Sequence, residues 1–206
     1  RGLLNDLVTE GRMAQADAEG VRAKAQQKQM RSWHPIDVIA ASECQDPARA
    51  GHVLSTDAIL EWLSDRVGQA FLRIDPLKID TQLVTQVMSS EFAQRHQILA
   101  VNVSKDAVHI VSAEPHLSAW MGLIEQSQPG KNIVRLLASP QDIKRYTQEF
   151  YAVANSVKKA SAQGLMGNAL GNLEQMLELG QFEQMEANDT HVVNIVDWIL
   201  KYACTQ

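Results

Sequence analysis

The chain has 206 residues, 45% hydrophobic and 21% charged, with 24 acidic against 19 basic side chains and a net charge of −5. This is the composition of one ordinary folded domain or two small ones; it excludes wholesale disorder and any general electrostatic affinity for nucleic acid or anionic lipid. No window approaches ~18 consecutive apolar residues, which excludes a membrane span, and the residues from Arg1 to Glu10 lack the apolar core of a signal peptide.

Leu3, Leu4, Leu7 and Val8 recur at three-to-four spacing and predict a first helix, stopped by Gly11. Ala14 to Met30, rich in Ala, Gln, Lys and Glu, predicts a second, largely solvated helix. Pro35 opens a short apolar helix through Ile36, Val38, Ile39 and Ala40, and Gln45 to His52 reads as a loop. Ser55 or Thr56 caps a helix whose Ile59, Leu60, Leu63 and Val67 form one stripe, ended by Gly68. The character changes at Phe71. Phe71–Ile74 predicts a short strand closed by Asp75-Pro76, and Ile79–Met88 and Ser90–Gln97 predict two short helices. Ile98–Val103 and Ala107–Ala113 read as a hairpin turning on Ser104-Lys105-Asp106, with His109 half-buried. Leu117–Gln126 predicts a helix, Ile133–Leu137 another strand, and Ser139-Pro140 the cap and first turn of a helix carrying Ile143, Tyr146, Phe150 and Tyr151.

The pattern predicts an α+β chain. A helical subdomain occupies 1–70 and a compact α/β subdomain 71–152. A flexible Gly-, Ser- and Gln-rich linker follows at 153–187, with a short amphipathic helix at Leu173–Leu179 inside it. Residues 188–206 read as the first helix of a truncated next domain.

The chemistry available is sparse. A phosphate-binding loop needs GxxxxGK followed by Ser or Thr; here the only Gly-Lys pair, Gly130-Lys131, is followed by Asn132, with Glu125 at the place of the first Gly, and reads as a turn. None of the six histidines lies three or four residues from another on a predicted helix, and Cys44 and Cys204 are isolated, so no catalytic or metal site is expected. Asp75 and Asp80 read as turn and cap residues. Trp62 lies about 100° round its helix from Leu63. The pair is therefore the predicted partner-binding anchor of a small helical unit that would gain stability by docking an apolar face.

The succession Phe71-Leu72-Arg73-Ile74-Asp75-Pro76, Ile79-Asp80, Phe92-Ala93-Gln94-Arg95, Ile98-Leu99-Ala100-Val101 and Val108 to Pro115 resembles the N-terminal domain of type II secretion and type IV pilus assembly ATPases, as does the closing helix from Pro140 to Tyr151. Val192 to Ala203 resembles the helix that opens that family's next domain. The resemblance implies a non-catalytic docking and regulatory module that is cytoplasmic and peripheral at the inner membrane through a platform protein. It would be part of a homo-hexamer in the whole protein. It implies no cofactor for this stretch, ATP and Mg belonging to a motor domain beyond Gln206, and neither nucleic-acid binding nor direct membrane insertion. Some relatives carry a tandem cyclic di-GMP motif in the helical region. Leu7 and Gly11 fit its first copy; Arg1 stands one step early and Gly2-Leu3-Leu4 replaces Arg-Leu-Gly, while Ala18, Arg22 and Ala25 occupy the later Leu, Leu and Gln positions. A second copy would begin at His34-Pro35-Ile36 and keep Ile39, with Glu43 in place of its Gly. The alternative function implied is therefore a cyclic di-GMP-binding regulatory domain, with Arg1, Leu7 and Gly11 as its ligand residues.

Overall fold

The structure is a computed structural model and describes residues 2–162, with side chains through Lys159. The residues through Asn155 form one compact unit. Its architecture is α+β, as the sequence predicts. Helices α1 (Leu3–Thr9), α2 (Gln15–Ala25), α3 (Pro35–Ala40) and α4 (Thr56–Val67) come first. A 3-10 turn (Pro76–Lys78), α5 (Thr81–Val84) and α6 (Ser90–His96) lead into β1 (Ile98–Val103) and β2 (Ala107–Ser112). Then come α7 (Met121–Ser127), β3 (Asn132–Leu137) and α8 (Pro140–Ala162).

Local chemistry sets most of the element ends. Ser55 Oγ accepts from Ala58 N at 3.2 Å at the start of α4, and Asp80 accepts from Gln82 and Leu83 N ahead of α5. Ser89 caps α6 through Phe92 N, and the Ser139 hydroxyl accepts from Asp142 N at the head of α8. Gly68 closes α4 in the left-handed region at φ +66, where its N–H reaches Ser64 O.

The sheet order is β1-β2-β3: an antiparallel hairpin, then a parallel pair joined through α7. A bulge between Ala100 and Asn102 shifts the hairpin register. One hydrophobic core gathers both faces of the sheet around Leu99, Ile110 and Trp120, closed by the α8 stripe of Ile143, Tyr146, Phe150 and Tyr151. A second packs α1–α4 around Leu7, Ile36, Ile39, Leu54, Ile59 and Leu60. Leu137, the last residue of β3, lies in the second core and bonds through its backbone to Ala70 and Leu72. The end of the sheet is thus tied directly to the helical part.

Several expectations need correction. Phe71–Ile74 is no strand: a single bridge joins Phe71 to Leu137, because β3 ends there and leaves no ladder to extend. The second helix stops at Ala25 and gives way to turns. The helix expected over 79–88 is one turn, Thr81–Val84, after which the Thr85 hydroxyl bonds back to Thr81 O at 2.7 Å. The helix expected from Leu117 begins at Met121. Residues 153–162, expected to open the linker, continue α8 instead: Ala154 still packs on the core, and no glycine interrupts the chain before Gly164. The rest of that linker, the helix at 173–179 and the one from 188 lie outside the described residues.

Trp62 does not project from α4. It is 7% exposed and Leu63 6%, both within the helical core. The Trp62 indole N–H donates to Glu10 Oε2 at 2.6 Å, and the Arg66 guanidinium, paired with Glu10, lies 5.6 Å from the ring. Packing of α1 against α4 covers a face that the helical wheel of α4 alone leaves open.

Candidate functional site

A cavity opens where four stretches meet: the turn into α3, the end of α6 with Gln97, Ala113 just after β2, and the start of α8 from Pro140 to Gln148. Its volume is about 590 Å³. Each wall follows from local sequence. His34 precedes Pro35 and caps α3, its Nδ1 accepting from Ile36 N at 3.3 Å. A ring nitrogen that accepts leaves the other to donate, and His34 Nε2 lies 2.9 Å from Glu114 Oε1 at the end of β2. This contact ties the helical part to the sheet across 80 positions of sequence. It also holds the Glu114 carboxyl below the usual carboxylate range, against the opposing effect of burial, with electrostatic attraction toward His34 and His116 adding to the lowering.

Asp37 lies on the floor. It falls in the first turn of α3, inside the apolar run Ile36 to Ile39, and is 7% exposed. Its Oδ1 is buried without a hydrogen-bond partner. Burial pushes its carboxyl above the ordinary value; His34 pulls it down, Asp142 adds to the rise, and the Gln141 amide opposes it. Ala93, Ala113, Ile143 and Thr147 complete the buried floor, with the Thr147 hydroxyl already donating to Ile143 O. The rim is exposed: Trp33, at 44%, lines it together with Gln94, Gln97, Gln141, Lys144 and Gln148. The arrangement is a polar, amide-rimmed cleft with one aromatic residue in its lining and a buried carboxyl at its base that the Gln141 amide meets. Among the described residues no group of three His, Cys, Asp or Glu is placed to hold a metal ion, and no helix is long and apolar enough to cross a membrane.

The residues singled out from the sequence lie elsewhere. Leu7 is fully buried in the helical core, and its carbonyl accepts from Arg12 and Met13 N. Gly11, at φ +68, makes the turn that allows this. Leu7 and Gly11 are therefore neighbours in a turn, the Leu7 side chain facing the interior, and Arg1 lies outside the described residues. Gly130 is a turn glycine at φ +80, as expected, and His109 is half-buried in β2. Asp75 and Asp80 are caps, as expected. Sequence reasoning passed over Asp37 and the glutamines and read Trp33 only as a core or interface anchor. The one local signal was an acid set inside an apolar helical run.

Residues 67–157 match the MshEN domain. The chain is 34% identical over 203 residues to the type IV pilus assembly ATPase TfpB of Acinetobacter baylyi, a match that covers 98% of this chain and 35% of that protein. The chain thus spans about a third of the length of the curated relative it matches. Its fold is similar to the structure of MshE with cdg, with a TM-score of 0.51 at 14% identity, over 73% of this chain and 99% of that one. The N-terminal domain of XpsE aligns with a TM-score of 0.44 at 13% identity, over 71% of this chain and 91% of that one. The likeness to the N-terminal region of type II secretion and type IV pilus assembly ATPases read from the sequence is borne out, and it extends over nearly the whole chain.

Proposed function

We propose that this chain is the non-catalytic docking and regulatory module at the N-terminal end of a type II secretion or type IV pilus assembly ATPase. It binds the inner-membrane platform protein and couples it to a hexameric motor whose ATP and Mg sites lie in another part of the protein. The observation that carries this is the extent of the match: almost all of this chain corresponds to little more than a third of a pilus assembly ATPase, while the sequence holds no phosphate-binding loop. With Trp62 and Leu63 inside the helical core, docking draws on the outer surface of the helices and on the cleft above Asp37. The test is co-purification of this chain with the cytosolic domain of the platform protein, alongside a phosphate-release assay. Stable co-purification with release at buffer background supports the reading; no association at micromolar concentration, or turnover lost on Lys131→Ala, refutes it.

A second reading, binding of cyclic di-GMP, draws on MshE, whose fold the chain shares and which was solved with cdg. Against it stand the replaced Arg-Leu-Gly positions and the buried Leu7. Calorimetric titration with cyclic di-GMP separates the two: saturable heat with one defined stoichiometry makes the chain a sensor, and a flat titration leaves the docking role alone.

A further inference from the structure

The stretch from Gly20 to Ile36 carries the cations Arg22, Lys24, Lys28 and Arg31 and no acid. Every other described Lys or Arg ahead of Asp80 is ion-paired: Arg12, Arg49, Arg66, Arg73 and Lys78 each meet an acidic side chain. None of the cations in the stretch is ion-paired to a described residue. The side-chain bonds found there run to neutral groups. Arg22 Nη2 donates to Asn5 Oδ1 at 2.6 Å, and Arg31 Nε donates to Gln26 O at 3.3 Å.

The helix dipole accounts for part of this. Arg22 and Lys24 lie in the last turn of α2, where a cation is favourable. Lys28 and Arg31 lie beyond its end, in turns closed by Arg31 N on Gln27 O and Trp33 N on Met30 O. These turns are fastened to the body of the chain: Val21 is buried, and Ala25 and Met30 pack on the helical core. The fastening leaves Arg22, Lys28 and Arg31 exposed, with the amides of Gln26, Gln27 and Gln29 and the indole of Trp33. A net-acidic chain that pairs its neighbouring cations thus presents here a positive surface with no counter-charge of its own.

The dimensions and borders of this surface narrow what it can hold. From Arg22 to Arg31 the chain advances on the order of 10 Å at the helical rise. One small anion does not span that length, whereas several carboxylates along a short segment do. A long polyanion fits less well. The surface is bounded in sequence by Asp17 and Glu19 before it and by Asp37 and Glu43 after it, and the whole chain carries −5, so a nucleic-acid strand running past it would be repelled. A bilayer needs apolar side chains to insert, and Trp33 is the one large apolar side chain exposed in the stretch. A short acidic peptide matches both components. Its carboxylates meet the cations, and its backbone meets glutamine amides that offer donors and acceptors alike.

We propose that the surface from Arg22 to Trp33 is a docking site for an acidic segment of a protein partner, with Lys28 and Arg31 as its main cations and Trp33 at the border with the cleft. The inference does not rest on the platform or the cyclic di-GMP reading, because neither molecule enters the test.

The experiment titrates the full chain against a labelled oligoglutamate peptide, followed by fluorescence anisotropy, with oligoglutamine of the same length as the neutral control. Saturable binding of oligoglutamate and none of oligoglutamine is expected, weakening severalfold as salt rises from about 0.05 to about 0.5 M. Lys28→Glu, at an exposed position outside any helix, weakens binding severalfold, and Lys28→Gln follows in the same direction by a smaller factor. Lys28→Glu combined with Arg31→Glu weakens it about tenfold or more, with circular dichroism unchanged. Lys105→Glu, on the exposed β1–β2 turn, alters the net charge as much as Lys28→Glu and leaves binding as it was. Equal binding of the two peptides overturns the proposal, as does no binding of oligoglutamate at low salt. A loss in Lys105→Glu as large as in Lys28→Glu also overturns it, by reducing the attraction to net charge. A single-stranded oligonucleotide or a phosphatidylglycerol vesicle bound more tightly than oligoglutamate at the same salt overturns the assignment to a protein partner.

Discussion

Removing the Asp46 carboxylate should unfold the helical part more readily than any other single polar change, because of where its partner sits. Gly11, at φ +68, turns the chain out of α1, and the next residue, Arg12, reaches the loop after α3. Arg12 Nε lies 3.0 and 3.1 Å from the two Asp46 oxygens, and Nη2 lies 2.5 Å from Oδ2. The two side chains keep only 13% and 1% of their accessibility. Asp46 Oδ1 also accepts from Ala48 N at 3.0 Å, which shapes the loop. Asp46→Ala strands the guanidinium. Breaking a buried pair costs about 3–5 kcal/mol, and since Arg12 retains some access to water the lower figure, about 3, applies here. At roughly 2–4 °C per kcal/mol for a chain of this size, the melting temperature falls by about 6–12 °C. Thermal melts followed by circular dichroism, with urea titrations alongside, measure it. Arg12→Met combined with Asp46→Ala removes the stranded charge as well and should recover about half the loss. The acid limb gives an independent check. Burial opposes the Asp46 charge, but the hydrogen bonds from Arg12 and Ala48 and the charges of Arg12 and Arg49 together hold its carboxyl below the ordinary value. Its contribution is therefore complete above the unfolded value of 3.8 and is lost as pH falls through the lower folded value. The parent should lose stability below pH ~4 more steeply than Asp46→Ala. A single mutant destabilised by less than about 1 kcal/mol, or a double mutant no better than the sum of its parts, refutes this account.

Trp62→Ala empties a core position and leaves Glu10 without the indole donor, so it should cost about 3–5 kcal/mol; a melt within 2 °C of the parent would return Trp62 to the surface. Tyr151 Oη is buried and donates to Met88 O at 2.8 Å, and burial, with Glu91 adding, pushes its hydroxyl up to about 12. With the folded value above the unfolded one, its stabilisation is complete below the unfolded value near 10 and is lost as pH rises toward 12. Absorbance at about 295 nm should show a tyrosine step near pH 12, and Tyr151→Phe should remove that step and cost about 1–3 kcal/mol. Gly68→Ala meets no steric neighbour, so it tests backbone conformation alone; a loss of about 1–2 kcal/mol is expected.

How much of this molecule could be read from its sequence depended on how far apart the deciding residues lie. Ser55, Asp80 and Gly68 mark helix ends through bonds to backbone two to four positions away, and all three were legible. The hairpin was legible because Ser104 closes it locally, accepting from Ala107 N and donating backbone N–H to Ala107 O. Phe71–Ile74 has strand composition, yet its length is limited by β3 ending at Leu137, a fact held some sixty residues downstream. Trp62 obeys the helical wheel of α4, but α1 and the Arg66–Glu10 pair decide its burial. The cleft was least legible, since the floor carboxyl, the rim glutamines and the indole come from α3 and the turn before it, from α6 and its C-terminal cap, and from α8, and form no motif in any one of them. Its only trace was Asp37, a charge where the period of Ile36, Val38 and Ile39 calls for an apolar or neutral neighbour. The Asp37 carboxyl is opposed by its burial and helped by His34 and by the Gln141 amide, and because Gln141 lies about a hundred residues downstream, nothing in the α3 sequence alone shows how the charge is accommodated.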